Sequence, residues 1–479
     1  MEYVIKGREP EALFRYFEEI SAIPRPSHHE EKIADYLVGF ARARGLFVLR
    51  DEHNNVLIKA PASAGMEDRA PLLLQGHTDM VCEKNGDVEH DFLADPIRLW
   101  VDGNLLRARG TTLGADNGIA VAMMLALLDG AAPVHPAYEC LFTTAEETGL
   151  CGALGFDYSH INARRMLNLD SEDLGVVTAG CSGGLRSDLT MPYTAEPLSG
   201  EVLSVSLTGL AGGHSGANID SGRANANRLM GRLLAAVLPV TDARLVALEG
   251  GSKDNAIPRE CRMLLAVPDG DAAADRLTET AALIARELGA DDRGFRLTVE
   301  TVDEGVEMLS RRDTQNACAI LTCPSNGVIE MSRDIAGLVE YSRNLGVVYT
   351  EDGALHFVFS TRSGFESRLD ASINELDALA AVTGCSTRHY SRYPGWEYAQ
   401  ESAIRDAYLD AYRRVTGEHA TVNVIHAGLE CGIIYSKLPD MDMISIGPSM
   451  HDIHSPAEAL DLDSTEIFWK TVVALIESL

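Results

Sequence analysis

The chain has 479 residues, and 46% of them are hydrophobic, enough for globular folding and too many for a disordered chain. That length exceeds one ordinary core and predicts two domains. The formal net charge of −30 would repel phosphate backbones, which argues against nucleic acid as a partner.

No run reaches the roughly 20 apolar residues of a membrane span. The opening stretch MEYVIKGREPEALFRYFEEI lacks the basic start and apolar stretch of a secretory signal and reads as an amphipathic helix. The nine cysteines are scattered and form no Cys-x-x-Cys pair, so free thiols in a reducing cytoplasm are expected.

From the start to about residue 185, strand and helix signals alternate. Residues 9–22 and 30–44 read as helices. NVLIKA and APLLLQGHTDMV read as strands, the second a continuous apolar run of the kind covered on both faces. GADNGIAVAMMLALLDG reads as a helix, with Asp116 or Asn117 near its start and Gly130 past its end. AYECLFTTAEE and RMLNLDSED are further strands. This predicts an α/β domain with a largely parallel sheet and helices on both faces.

Residues 180–200, rich in Gly, Ser and Pro, read as a crossing between domains. Beyond them EVLSVSLTGL alternates with period two, as a half-exposed antiparallel strand does. Helical and strand patterns then mix as in an α+β domain, ending in a helix over FESRLDASINELDALAAVTG and an exit at SRYPGW. The remainder returns to α/β style. The expected architecture is a discontinuous α/β domain over 1–190 and 395–479, with an α+β domain inserted over 191–394.

In open α/β sheets, ligands bind beyond the carboxyl ends of the strands. Five such places carry acids or histidines: His77 and Asp79, Asp116, Glu146 and Glu147, Asp170, and His451 and His454. Alone, each has a plainer explanation. A strand-end aspartate is usually a turn former or helix cap, and a lone histidine on an apolar strand is more often a core residue. Their joint occurrence at five strand ends points to one site. Imidazole and carboxylate donors without cysteine suit zinc, manganese or cobalt. Two histidines and three or four carboxylates exceed what one open zinc needs and fit two ions bridged by a carboxylate. Residues i and i+2 share a strand face, so Asp79 can orient the ring of His77.

GHTDMV, GADNGIAVA, TTAEETGLCGA, LNLDSED and MHDIHSP resemble, in order, the motifs of the co-catalytic zinc metallopeptidases that include aminoacylases, carboxypeptidases and cytosolic dipeptidases. SAIPRPSHHEEKIADYL, LAGGHSGANIDSGRANANRL and HAGLECGI resemble the dipeptidase branch, and the likeness spans nearly the whole chain. The resemblance implies metal ligands at His77, Asp116, Glu147, Asp170 and His454, with Asp116 bridging. It implies Glu146 as general base and Asp79 as partner of His77. In this family the peptide after the bridging aspartate is often cis, and many relatives carry aspartate where this chain has Asn117.

His214, in GGHSG, resembles the histidine that stabilises the oxyanion in relatives, within a subunit or across a dimer. Arg362, in VFSTRSG, resembles the guanidinium that clamps the substrate carboxylate, a task suited to its bidentate fork. Asn255 and Gly428 fall where relatives contact substrate. The implied activity is hydrolysis of unblocked dipeptides, of Xaa-His type including β-alanyl-histidine, by a cytoplasmic homodimer with two divalent ions. Zinc is the expected metal, with cobalt or manganese as alternatives. A related amidohydrolase acting on N-acyl amino acids is the alternative activity. A binding protein that merely reuses the fold would be expected to lack the base, and Glu146 is present.

Overall fold

A computed structural model describes residues 3–333 and 335–479. The chain divides into two compact units. One comprises residues 1–181, 398–424 and 429–479, the other 182–397 and 425–428.

The first unit is built on an eight-stranded sheet. Its order is Phe47–Arg50, Val56–Ala60, Tyr138–Thr143, Leu72–His77, Arg165–Asn168, Asp442–Ser445, Val176–Cys181 and Thr421–Ile425. The four strands from Tyr138–Thr143 to Asp442–Ser445 are parallel, while the Phe47 and Val56 strands and the Val176 strand join antiparallel. The α/β class is observed, with four consecutive strands of the sheet parallel. All six residues of Leu72–His77 are buried. Leu72 and Leu74 enter one core with the helices, and Leu73, on the opposite face, is equally buried. Helix Ala115–Leu128 is apolar nearly all round, as suits a helix sunk in the core.

The N-terminal helix runs over Glu11–Ser21 rather than from the first residues. Pro10 precedes it as N-cap, where the missing N–H costs nothing. Residues 3–10 are not helical.

In the second unit a nine-stranded sheet is antiparallel throughout its described pairings. Helices Ala226–Val237, Gly270–Glu287, Arg311–Thr322 and Glu366–Thr383 share one core with its strands. Alternate residues Leu355, Phe357 and Phe359 meet Leu229, Leu277, Ile320 and Leu376 there.

The chain passes from the first unit to the second at 181/182, inside the Gly/Ser/Pro-rich stretch at 180–200, but most of that stretch is strand rather than loop. Ten of its residues, Gly183–Pro192, form a strand paired on both sides, with Ala354–Ser363 and Ser386–Tyr393. A Cβ at Gly184 would lie 2.4 Å from the ring of Tyr393, so the glycine makes room for a packed ring rather than a turn.

Candidate active site

The carboxyl ends of three parallel strands supply His77, Glu146 with Glu147, and Asp170, while Asp116 comes from the start of helix Ala115–Leu128 and His454 from the loop after the short strand Met450–His451. His77 ends its strand with its ring almost fully buried. Its Nε2 lies 3.2 Å from Asp116 Oδ1 and 3.6 Å from Asp170 Oδ1. Its Nδ1 lies 3.3 Å from Asp79 Oδ1, and 3.2 Å from the Asp79 carbonyl. The other oxygen of Asp116, Oδ2, is 3.0 Å from His454 Nε2, and that nitrogen is 3.1 Å from Glu147 Oε2. Three groups of side chains could therefore hold a metal ion: His77 with Asp116 and Asp170, His77 with Glu146 and Glu147, and Asp116 with Glu147 and His454. Within each, the ligand atoms lie within 4.8 Å of one another. His451 belongs to none of them among the described residues.

The turns that carry these side chains are held from behind. Asp79 accepts from the backbone N–H of Glu146 at 3.1 Å and of Glu147 at 3.3 Å, and from Ser27 Oγ at 2.8 Å. It thus fixes both the histidine and the glutamate pair. Ala145, just before that pair, has φ 49°, and His454 has φ 60°. Left-handed backbone at non-glycine residues is held only where surrounding contacts over-determine it, and it clusters at functional sites. Glu30 supplies one such contact, accepting from Ala145 N at 2.9 Å.

The Asp116 turn has three further supports. Glu458, buried, accepts from the N–H groups of Leu113, Gly114, Ala115 and Asp116 at 2.7 to 3.4 Å, satisfying donors that a helix start leaves open. Arg25, also buried, donates to the carbonyls of Gly114, Thr78 and Asp79. Asn117 accepts from His77 N at 3.2 Å and donates to Leu169 O at 2.8 Å, tying together two strand ends. The Asp116–Asn117 peptide is cis.

The donor set fits divalent cations. Burial and the neighbouring carboxylates raise the proton affinity of Glu146 and Asp170 well above the ordinary range. Burial opposes charge on His77 and Asp116 too, but mutual contact prevails: His77 is shifted up and Asp116 down. Contacts with Asp116 and Glu147 push His454 up to about 10. Glu147 Oε1 is buried without a hydrogen-bond partner among the described residues. A cluster this rich in anions, with an acceptor left over, is what a cation would neutralise.

The remaining expected residues lie in the second unit. His214 is exposed, and its Nδ1 accepts from Gly216 N at 3.3 Å and Ala217 N at 3.1 Å, so its proton sits on Nε2. Arg362 is 9% exposed and donates to Tyr393 Oη at 3.1 Å. A Cβ at Gly428 would lie 2.6 Å from the same tyrosine ring. Asn255 is partly buried, and its carbonyl accepts from Ser215 N at 2.9 Å. The structure brings Arg362 and Gly428 together around Tyr393, a residue the sequence reading did not single out. Glu30, Arg25, Glu458 and His426 were likewise not singled out. Arg25, Glu30 and His426 fall within stretches that carry the family resemblance, but their partners are distant in sequence, so the stretches alone do not show what these residues hold.

The model of peptidase family M20/M25/M40 matches residues 73–478. The chain belongs to this peptidase family. It is 38% identical over 479 residues to the cytosol non-specific dipeptidase of Escherichia coli (strain K12), covering 98% of each chain. The structure of an aminoacylhistidine dipeptidase from Vibrio alginolyticus superposes with a TM-score of 0.93 at 39% identity, over 99% of this chain and 97% of that one. An aminopeptidase from Bacillus cereus shares the fold at 14% identity and a TM-score of 0.56, over 98% of each chain. Membership of the M20 family makes this chain a peptide-bond hydrolase. Among the described residues, no helix is long and apolar enough to cross a membrane.

Proposed function

We propose that this chain is a metal-dependent dipeptidase acting on unblocked dipeptides, of Xaa-His type including β-alanyl-histidine. The observation that carries the reading is the placement of Asp116, with one carboxylate oxygen toward His77 and the other toward His454. That arrangement supports two ions sharing one bridging ligand. His77 and Asp170 would complete one side, Glu147 and His454 the other. The nitrogen and oxygen donors suit zinc, with cobalt or manganese as alternatives. Bound there, the ions supply Lewis acidity toward the scissile carbonyl and the attacking water.

The chain's own residues handle the rest. Glu146 takes the proton of the attacking water and returns it to the leaving amine. Asp79 holds His77 by its Nδ1 edge and leaves Nε2 for the metal. His214 is assigned as donor to the developing oxyanion, supported by the proton fixed on its Nε2. Arg362 is assigned to the substrate carboxylate, with Asn255 and Gly428 lining the same substrate. The second unit is read as a lid and dimerisation domain of a cytosolic homodimer. Its compactness supports a separate domain, and the name of the Escherichia coli relative supports the cytosolic location.

The test is turnover by purified protein supplied with zinc, cobalt or manganese. An unblocked dipeptide should be cleaved and its N-acetylated form left intact. Cleavage of the acetylated form alone would favour an aminoacylase-type activity, and no cleavage of either would refute the proposal.

A further inference from the structure

The loop that carries His214 begins and ends on one carboxylate. Strand Glu201–Thr208 runs out beside the start of strand Arg296–Val302, with Thr208 opposite Arg296. The two segments are tight there, since a Cβ at Gly209 would lie 2.0 Å from Gly294 O. That close approach brings the turn before the second strand, and Asp292 with it, to the point where the chain leaves the sheet. Asp292 is 1% exposed. Its Oδ1 accepts from Ala211 N at 2.9 Å and its Oδ2 from Ala224 N at 2.7 Å. Those two alanines bound the AGGHSGANIDSGRA loop, and Asn225, the next residue, caps helix Ala226–Val237.

Arg223 closes the same neck a second time. Its Nη1 donates to Gly212 O at 2.8 Å, and its Nε donates to Asp291 Oδ2 at 3.2 Å. Gly213, with φ 140°, leaves room for that guanidinium, because a Cβ there would lie 2.6 Å from Nη1. Within the loop His214 N donates to Asn218 Oδ1 at 2.9 Å, and His214 pairs with Ala256.

A buried carboxylate is costly unless its oxygens are used. Both are used here, and the two donors come from opposite ends of one loop. An amide of the same shape could accept from only one end and would turn its own N–H₂ toward the other. A donor to a developing oxyanion has to be in place before the charge forms, and small displacements are expensive in rate.

We propose that Asp292, seconded by Arg223, is a positioning residue for His214: it ties the two ends of the loop together and so fixes where the His214 ring is presented. This rests on the reading of His214 as oxyanion donor and deepens it.

The test is a double-mutant cycle on the zinc-loaded enzyme with L-alanyl-L-histidine. Asp292→Asn and Arg223→Gln are each made in wild type and in His214→Ala. His214→Ala alone should lose roughly 10²- to 10³-fold in kcat, the usual effect of removing an oxyanion donor. Asp292→Asn in wild type should lose about tenfold in kcat, with KM and metal content little changed, as for an interaction that acts only in the transition state. In the His214→Ala background the same substitution should cost almost nothing, because the residue it positions is gone. Equal losses in both backgrounds would make the neck a matter of general stability, and no loss would remove it from the reaction; either result overturns the proposal. If His214→Ala itself leaves kcat unchanged, the oxyanion reading falls and the positioning role with it. Arg223 is partly exposed, so Arg223→Gln completes the cycle even if Asp292→Asn does not fold.

Discussion

The Glu458 carboxylate accepts the backbone N–H of Asp116, at 3.4 Å, together with those of the three residues before it. Glu458 lies four residues beyond His454, so one loop carries a candidate ligand and also grips the turn that carries another. Glu458→Gln would turn an amide N–H₂ toward backbone donors and loosen that grip. Supporting contacts around metal ligands typically contribute 10- to 100-fold in affinity, so a loss of about tenfold in metal affinity is expected. Competition with a chromogenic chelator measures it, and calorimetry of the metal-free protein should show a lower Tm. Unchanged affinity would reduce Glu458 to a helix cap.

Glu146 and Glu147 are adjacent, yet their roles separate by test. Glu146→Gln should retain bound metal and lose roughly 10²- to 10⁴-fold in kcat, the usual contribution of a general base. Glu147→Gln should lose metal first, with activity partly restored by excess ion. Metal content after dialysis, beside kcat, distinguishes the two. The reverse pattern would exchange the roles.

Much of this site was legible because its chemistry sits in short motifs at strand ends. Periodicity located the strand under HTD and the helix after GADNG, and the residue types named the donors. The supports were not legible, because Arg25, Glu30 and Glu458 act on backbone groups far away in sequence. The strand at Gly183–Pro192 was masked by glycines that look like turn formers and instead admit the ring of Tyr393. The long strand Val339–Glu351 was missed because both of its faces are largely covered, which erases the alternation that marks a half-exposed strand.

Glu430 gives the protein a distinct pH signature. Its buried carboxylate accepts from Gln75 Nε2 at 2.5 Å and Thr143 Oγ1 at 2.7 Å, and its Oε1 has no partner among the described residues. Burial, against the pull of His77 and these donors, raises it to about 7 from an ordinary 4.5. Between those values the native state holds more protons than the unfolded state, so this group's contribution to stability falls as pH rises from about 4.5 to 7. Glu430→Gln keeps an acceptor for both donors and removes the titration. Relative to wild type, the variant should gain on the order of 3 kcal/mol between pH 4 and pH 8. Urea unfolding of both proteins, kept metal-free, measures the difference. Parallel pH profiles would show that Glu430 is not the titrating group.

Asn117 joins the ends of two parallel strands through one side chain, and helix Ala115–Leu128 can approach closely enough only because residue 76 is glycine. A Cβ at Gly76 would lie 2.4 Å from Asn117 Oδ1 and 2.6 Å from Ala120 Cβ. Gly76→Ala should therefore destabilise by about 1–3 kcal/mol, the usual cost of overpacking, and weaken metal binding by displacing the Asp116 turn. Asn117→Asp tests the side chain itself. An ionised aspartate can still accept from His77 N–H, but it has no proton to offer the Leu169 carbonyl. The variant should lose roughly 1–3 kcal/mol at pH 8, the cost of leaving a buried acceptor unpaired. Protonation at lower pH restores the donor, so the deficit should shrink toward pH 5. Denaturant midpoints at the two pH values check this, and a variant as stable as wild type at pH 8 would mean that the Leu169 bond contributes nothing.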